Sequence, residues 1–213
     1  MTQLDPYVTA KLQQWLRARR DPIGPEIKLL VEQLNEFGSA VHREGFESAV
    51  RKKMNIAVEG TATIGLLESI AKLICSDIDA SERTIGAKSL QETFFLCTGI
   101  DALSSPFQIG QRLETYLRIN GSKGLIRQFL GIHLCNVILI DLHDSLQAPG
   151  IEMFQGQMEA IERLSQKVAR LAVRSWGKWP KLTDTTMNSA LQTVAEEMRN
   201  AVDPKPAGSG QNS

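Results

Sequence analysis

The sequence of 213 residues predicts an all-α fold, on three observations. Apolar residues recur three and four positions apart along most of the chain, which is the spacing of one helix face. No run of β-branched residues is convincing enough to supply the partner strands of a sheet. The stretch Ser122–Leu146 is apolar in nearly every direction around a helical axis, which is typical of a helix enclosed by others. We therefore expect a compact, orthogonal or bundle-like domain of eight or nine helices around a central buried helix.

The central stretch has two other interpretations, a membrane span and a buried strand. Its longest run without a charge, Gln128–Ile140, is shorter than the approximately 20 apolar residues that a membrane span requires, so no transmembrane segment is expected. A buried strand over Asn136–Leu142 would fit an α/β enzyme, and periodicity alone does not distinguish it from a helix. The absence of partner strands favours the helix.

The remaining elements follow from apolar spacing and from stop signals. Asn120-Gly121 and Pro149-Gly150 frame the central helix. Ser81 is the predicted cap of the helix that ends near Cys97, and Thr183 or Asp184 that of the last helix. The predicted helices are Leu4–Arg20, Glu26 to Gly45, Phe46 to about Val58, Ile64–Ile74, Ser81–Cys97, Phe107–Ile119, Ser122–Leu146, about Glu152–Trp176, and Thr183 to about Val202. We expect one domain over residues 1–202 and a disordered polar tail over 203–213.

Composition narrows the function classes. Hydrophobic residues make up 42% and charged residues 23%, which is ordinary for a globular protein, and the formal net charge is zero. A charged partner must therefore be met by a local patch. The start of the chain has no apolar signal core, and the three cysteines lie in apolar helical surroundings, so we expect buried thiols in a cytoplasmic protein.

The segment between Arg163 and Lys181 carries the clearest functional signal. It holds six basic residues and no acidic one: Arg163, Lys167, Arg170, Arg174, Lys178 and Lys181. The first five are spaced 4, 3, 4 and 4 apart, so on a continuous helix they fall in one stripe, beside an apolar stripe that includes Ile161 and Val168. Such a row attracts phosphates, anionic lipids or an acidic protein surface. Trp176 and Trp179 beside it can stack on bases or anchor at a membrane surface. The alternative is a solvated face neutralised by acidic residues elsewhere in the fold.

Arg127 and His133 on the central helix form the second feature. An arginine followed by five residues and a histidine resembles the motif of HEPN-type ribonucleases, which are small all-helical domains. That resemblance implies a dimeric enzyme that cleaves RNA, in which the histidine moves a proton and the arginine stabilises charge on the phosphate. The two positions lie about 120° apart on a regular helix, so a local bend would be needed to bring them together.

No pattern in the sequence predicts a metal or a cofactor, because His-x-x-x-His, Cys-x-x-Cys and a glycine-rich phosphate loop are all absent. The sequence thus favours a non-enzymatic interaction protein or assembly subunit, without catalytic residues, that engages an acidic protein surface or nucleic acid through the basic helix. A dimeric ribonuclease that uses Arg127 and His133 is the alternative. A third hypothesis is a structural or regulatory subunit whose partner surface is apolar. Whether the chain forms a homo-oligomer stays open.

Overall fold

A computed structural model describes residues 4–19, 24, 26–55, 62–99, 105–143 and 151–203. Over these ranges the chain forms helices packed on one another and no strand, which confirms the all-α prediction. The eight helices are α1 Pro6–Ala18, α2 Ile27–Glu44, α3 Phe46–Met54, α4 Thr63–Ile74, α5 Ala80–Thr98, α6 Pro106–Asp141, α7 Ile151–Ala172 and α8 Asp184–Val202.

Helix α6 is the centre of the domain, as the sequence predicts. It packs against α2 on one side, α5 on another and α7 on a third. From Leu125 to Ile138 nearly every side chain is buried, with only Arg127 and Gln128 half-exposed. Phe129 is completely buried and Leu134 is 1% exposed. An enclosed helix of this kind needs no polar stripe, which explains why its sequence is apolar in every direction.

The same helix is long and apolar enough to cross a membrane when only length and composition are considered. However, 72% of its most apolar window is buried against the rest of the chain. Its backbone also breaks at Gly121. These are the properties of a core helix enclosed by other helices.

Several predicted boundaries need correction. Helix α5 begins one residue before Ser81, and its N-cap is Asp79, so the proposed Ser81 cap is wrong. Helix α7 ends at Ala172 rather than near Trp176. The Thr183 cap of α8 is confirmed: the Thr186 amide donates to Thr183 Oγ1 over 3.2 Å, and the Thr183 amide donates to Thr186 Oγ1 over 2.8 Å. The predicted end of α3 near residue 58 and most of the predicted tail, residues 204–213, lie outside the described residues.

A kink divides α6 at Gly121, where the sequence predicts a break between two helices. Gly121 has φ +67° and ψ −177°, a conformation that is essentially restricted to glycine. A Cβ atom at this position would lie 2.0 Å from the carbonyl oxygen of Lys178. Lys178 belongs to residues 173–183, the connector between α7 and α8. The missing side chain at Gly121 therefore lets the connector backbone approach α6 closely.

Polar contacts fix the connector on this kink. The Lys123 amide donates to the Lys178 carbonyl over 3.2 Å. The Lys123 ammonium donates to the carbonyls of Arg174 at 3.0 Å and Trp176 at 2.6 Å. These carbonyls follow the last turn of α7, where the partial negative charge of a helix end favours a cation. One lysine of α6 thus joins three peptide groups of the connector.

Helix α2 holds the connector from its other side. The Ser122 hydroxyl donates to Asn35 Oδ1 over 2.6 Å, and Asn35 Nδ2 donates to the carbonyl of Pro180 over 3.3 Å. Further along, the rings of His42 and Trp179 are stacked with centroids 4.3 Å apart and an angle of 23° between their planes. The connector is therefore held between α2 and the kink of α6.

Replacing Gly121 with alanine should destabilise the protein by about 2 kcal/mol or more, because the backbone strain alone costs about 1–3 kcal/mol. The overlap with the Lys178 carbonyl adds to that cost. Gly177→Ala is the matched control in the same connector, since a Cβ there meets nothing within 4 Å. Its effect should stay within about 0.5 kcal/mol. Denaturant unfolding measures both variants, and equal stabilities would contradict this description of the kink.

Leu134→Ala should cost about 2–5 kcal/mol, because the site is enclosed and truncation leaves a cavity. The comparison is Leu96→Ala on α5, where the side chain is 60% exposed and little burial is lost. Thermal unfolding followed by circular dichroism checks the difference. A Leu134→Ala protein as stable as the parent would refute the central position of α6.

Candidate anion-binding surface

Helix α7 and the connector carry the six predicted cations, which we call the basic row: Arg163, Lys167, Arg170, Arg174, Lys178 and Lys181. All six are exposed. The first three lie on α7, and the other three lie on the connector, because the helix ends at Ala172. The prediction of one continuous helical stripe is therefore correct for three residues and wrong for Arg174 and Lys178.

The packing of α7 explains why its cations face outward. Ile161, Val168 and Val173 are among the side chains of this segment that are buried in the core. Burying them turns the face between Arg163 and Arg170 toward solvent. Gln166 is half-exposed at the edge of that face and lies against the backbone of α6, since a Cβ at Gly131 would be 2.7 Å from its amide group. Helix α7 is thus held close to α6 with its cations outside.

Two cations of the row have partners in the fold. Arg163 forms an ion pair with Glu159 over 3.0 Å, and both side chains are more than half exposed. The Lys178 ammonium donates a hydrogen bond to the backbone carbonyl of Arg118. A carbonyl is neutral, so this bond does not neutralise the charge of Lys178. Within the described part of the chain, no ion pair or side-chain hydrogen bond engages the remaining four, Lys167, Arg170, Arg174 and Lys181.

Charge on the solvent face of α7 changes sign along the helix. Glu159 and Glu162 lie toward its start, and Arg163, Lys167 and Arg170 follow toward its end. These residues and Gln166 line an open depression of about 660 Å³. The basic half leads directly onto the connector, so positive charge concentrates toward the kink of α6.

The sequence has two smaller basic clusters, Arg17-Arg19-Arg20 and Arg51-Lys52-Lys53, and both are partly neutralised in the structure. Arg51 pairs with Glu47 at 2.7 Å, and Lys52 pairs with Glu44 at 3.2 Å. Arg19 pairs with Asp141 at 3.0 Å, and Asp141 also accepts a hydrogen bond from the Trp15 indole over 2.7 Å. These contacts connect α1 to the end of α6. Lys53 and Arg20 belong to the same clusters, and their side chains lie outside the described set.

Sequence reasoning missed a second group of residues, which lies beside Lys178 of the basic row. The Arg118 carbonyl accepts a hydrogen bond from Lys178, and Lys123 donates one to the Trp176 carbonyl of the connector. His42 stacks on Trp179 and lines an open pocket of about 340 Å³ together with Val41, Gly45, Glu114, Thr115 and Arg118. No spacing rule connects α2, α6 and the connector, since the three meet only in the folded chain.

Arg127 and His133 do not share an exposed cleft in this chain. His133 is 2% exposed, and its ring centroid is 5.4 Å from that of Phe129. Arg127 is half-buried near Tyr116 and Cys97. Burial raises the pKa of the Tyr116 hydroxyl well above its usual value, and the Arg127 guanidinium opposes that shift. The pair resembles the ribonuclease motif in sequence, and within this chain His133 is buried whereas Arg127 is half-exposed.

The described residues contain no group of three or more histidine, cysteine, aspartate or glutamate side chains placed to hold a metal ion. Neither a known protein family, a characterised protein nor a solved structure matches this chain at a significant level. The basic row and its surroundings must therefore be interpreted from their own geometry.

The three cysteines should be unreactive in the folded protein. All are buried, and burial raises the pKa of Cys75 and Cys135 to about 12 and that of Cys97 to about 11. The thiolate is the reactive form, and at pH 8 it would amount to about one part in a thousand or less. Ellman's reagent should therefore detect no fast thiol in the native protein, and all three in denaturant. A native thiol that reacts as fast as the denatured ones would contradict this burial.

Proposed function

We propose that this protein is a non-enzymatic binding module that engages a polyanionic partner through the basic row. The observation that carries the proposal is the lack of intramolecular counterions. Four of the six cations have no ion pair or hydrogen bond within the described residues, although the chain has as many acidic as basic residues. A row that served only solubility would gain from mixing the two signs.

The position of the row supports the same conclusion. Three of its cations project from a helix that the core holds in place, and three from a connector fixed by hydrogen bonds to α2 and α6. Little backbone entropy is then lost when a partner binds. Fixed cations can also contact several phosphates of a linear polyanion at once. Each phosphate contact releases condensed counterions, so the contributions to affinity add up.

Binding should depend steeply on salt. If four cations contact phosphates of a duplex, the log–log slope is about 3 to 4, and affinity falls about a hundredfold between 50 and 200 mM salt. Reversing Lys167, Arg170 and Arg174 to glutamate should remove most of this slope. The melting temperature should change little, because exposed charges contribute little to stability. Fluorescence anisotropy with a labelled duplex of about 20 bp measures the slope.

A matched control reverses three exposed cations elsewhere, Lys52 on α3, Lys72 on α4 and Arg199 on α8. It alters the net charge by the same amount as the first triple variant, and it should keep nearly all of the parent's affinity. If both triple variants lose affinity equally, binding follows overall charge and the basic row is not the surface. An unchanged affinity in the first triple variant excludes the row outright.

A further inference from the structure

We infer that the polyanion is a single-stranded nucleic acid, and that one of its bases stacks on His42 in the pocket beside Lys178 of the basic row. This inference rests on the proposed function and adds the class of partner. It depends on a separate observation, the aromatic stack between α2 and the connector.

The stack is a preformed platform. Trp179 is half-buried and packs against the hydrophobic core, and its ring is stacked on His42 at 4.3 Å between centroids. His42 itself is exposed and lines the pocket of about 340 Å³. That volume is at the lower end of the approximately 300–1,000 Å³ that small-ligand pockets occupy. It therefore suits a single base better than a larger ligand. Every base has a π-face, so an aromatic ring held in this way can receive any of them.

The pocket suits a base better than a phosphate. Glu114 lines it, and its Oε1 accepts a hydrogen bond from the Phe46 amide over 2.7 Å, which fixes the carboxylate at the start of α3. A fixed carboxylate repels phosphate, but it can accept a hydrogen bond from the amino group of a base. Arg118 lines the same pocket and lies next to Lys178 of the basic row. The backbone of a bound strand would thus follow the cations while a base enters beside Arg118.

This arrangement disfavours the other classes of partner. A duplex keeps its bases stacked on one another, so it cannot place one on His42. A membrane surface would require the neighbouring tryptophans to insert, but Trp176 and Trp179 are half-buried and pack on the core. An acidic protein surface would use the cations and leave the ring of His42 without a role.

The test compares a labelled single strand of about 20 nucleotides with the duplex of the same sequence, by fluorescence anisotropy at one salt concentration. Electrostatics alone favour the duplex, because its charge density is higher. A tighter complex with the single strand therefore reports stacking. His42→Ala should lower single-strand affinity about 5- to 150-fold, the usual effect of losing one stacking platform, and leave duplex affinity unchanged. His42→Phe should restore affinity for the single strand, because it keeps an aromatic face.

The outcomes separate this inference from the proposed function. If single strand and duplex bind alike through the basic row, and His42→Ala has no effect, the inference fails and the proposed function stands. If neither nucleic acid binds and only anionic vesicles or polyglutamate do, the inference also fails. If no polyanion binds in a way that depends on Lys167, Arg170 and Arg174, both fail.

Discussion

The contact between the backbone of Gly121 and the carbonyl of Lys178 decides how the functional half of this molecule is arranged. Only a residue without a side chain permits it, because a Cβ at position 121 would lie 2.0 Å from that oxygen. The kink also begins the second segment of α6 where Lys123 can reach the connector carbonyls. The connector packs on α6 at this contact, and its Trp179 ring stacks on His42 of α2.

A chain with zero formal net charge can still present a strongly basic surface, because charges are distributed unevenly. Several exposed cations on other elements pair with acids one helical turn away, as Lys72 does with Glu68 at 2.6 Å and Arg51 with Glu47 at 2.7 Å. Such pairs add little stability, but they cancel the local field. Among the residues that the structure describes, Arg163 is the one member of the basic row with such a partner. The field of the remaining cations therefore extends into solvent over roughly a Debye length, about 8 Å at physiological salt.

Much of the fold could be predicted from the sequence, since it depends on local patterns. Apolar spacing located the helices, and an all-round apolar run identified the central one. The Asn120-Gly121 pair predicted a break, which appears as the kink of α6. Local rules failed where a distant contact decided the outcome. Helix α7 ends at Ala172 although the pattern continues to Trp176, and beyond this end the connector backbone bonds to Lys123. His42 gave no signal, because its partner Trp179 is far away in the chain.

The residues of the candidate site also differ in whether the sequence could predict them. The six cations could be found from spacing because they are close in sequence, whereas Arg118 and His42 join them only through tertiary packing. Backbone amide chemical shifts, recorded by NMR while a single-stranded oligonucleotide is added, test the whole surface at once. We expect the shifts to change along Lys167, Arg170, Arg174 and Lys178 and at His42. Changes confined to other faces, such as α3 and α4, would contradict the account.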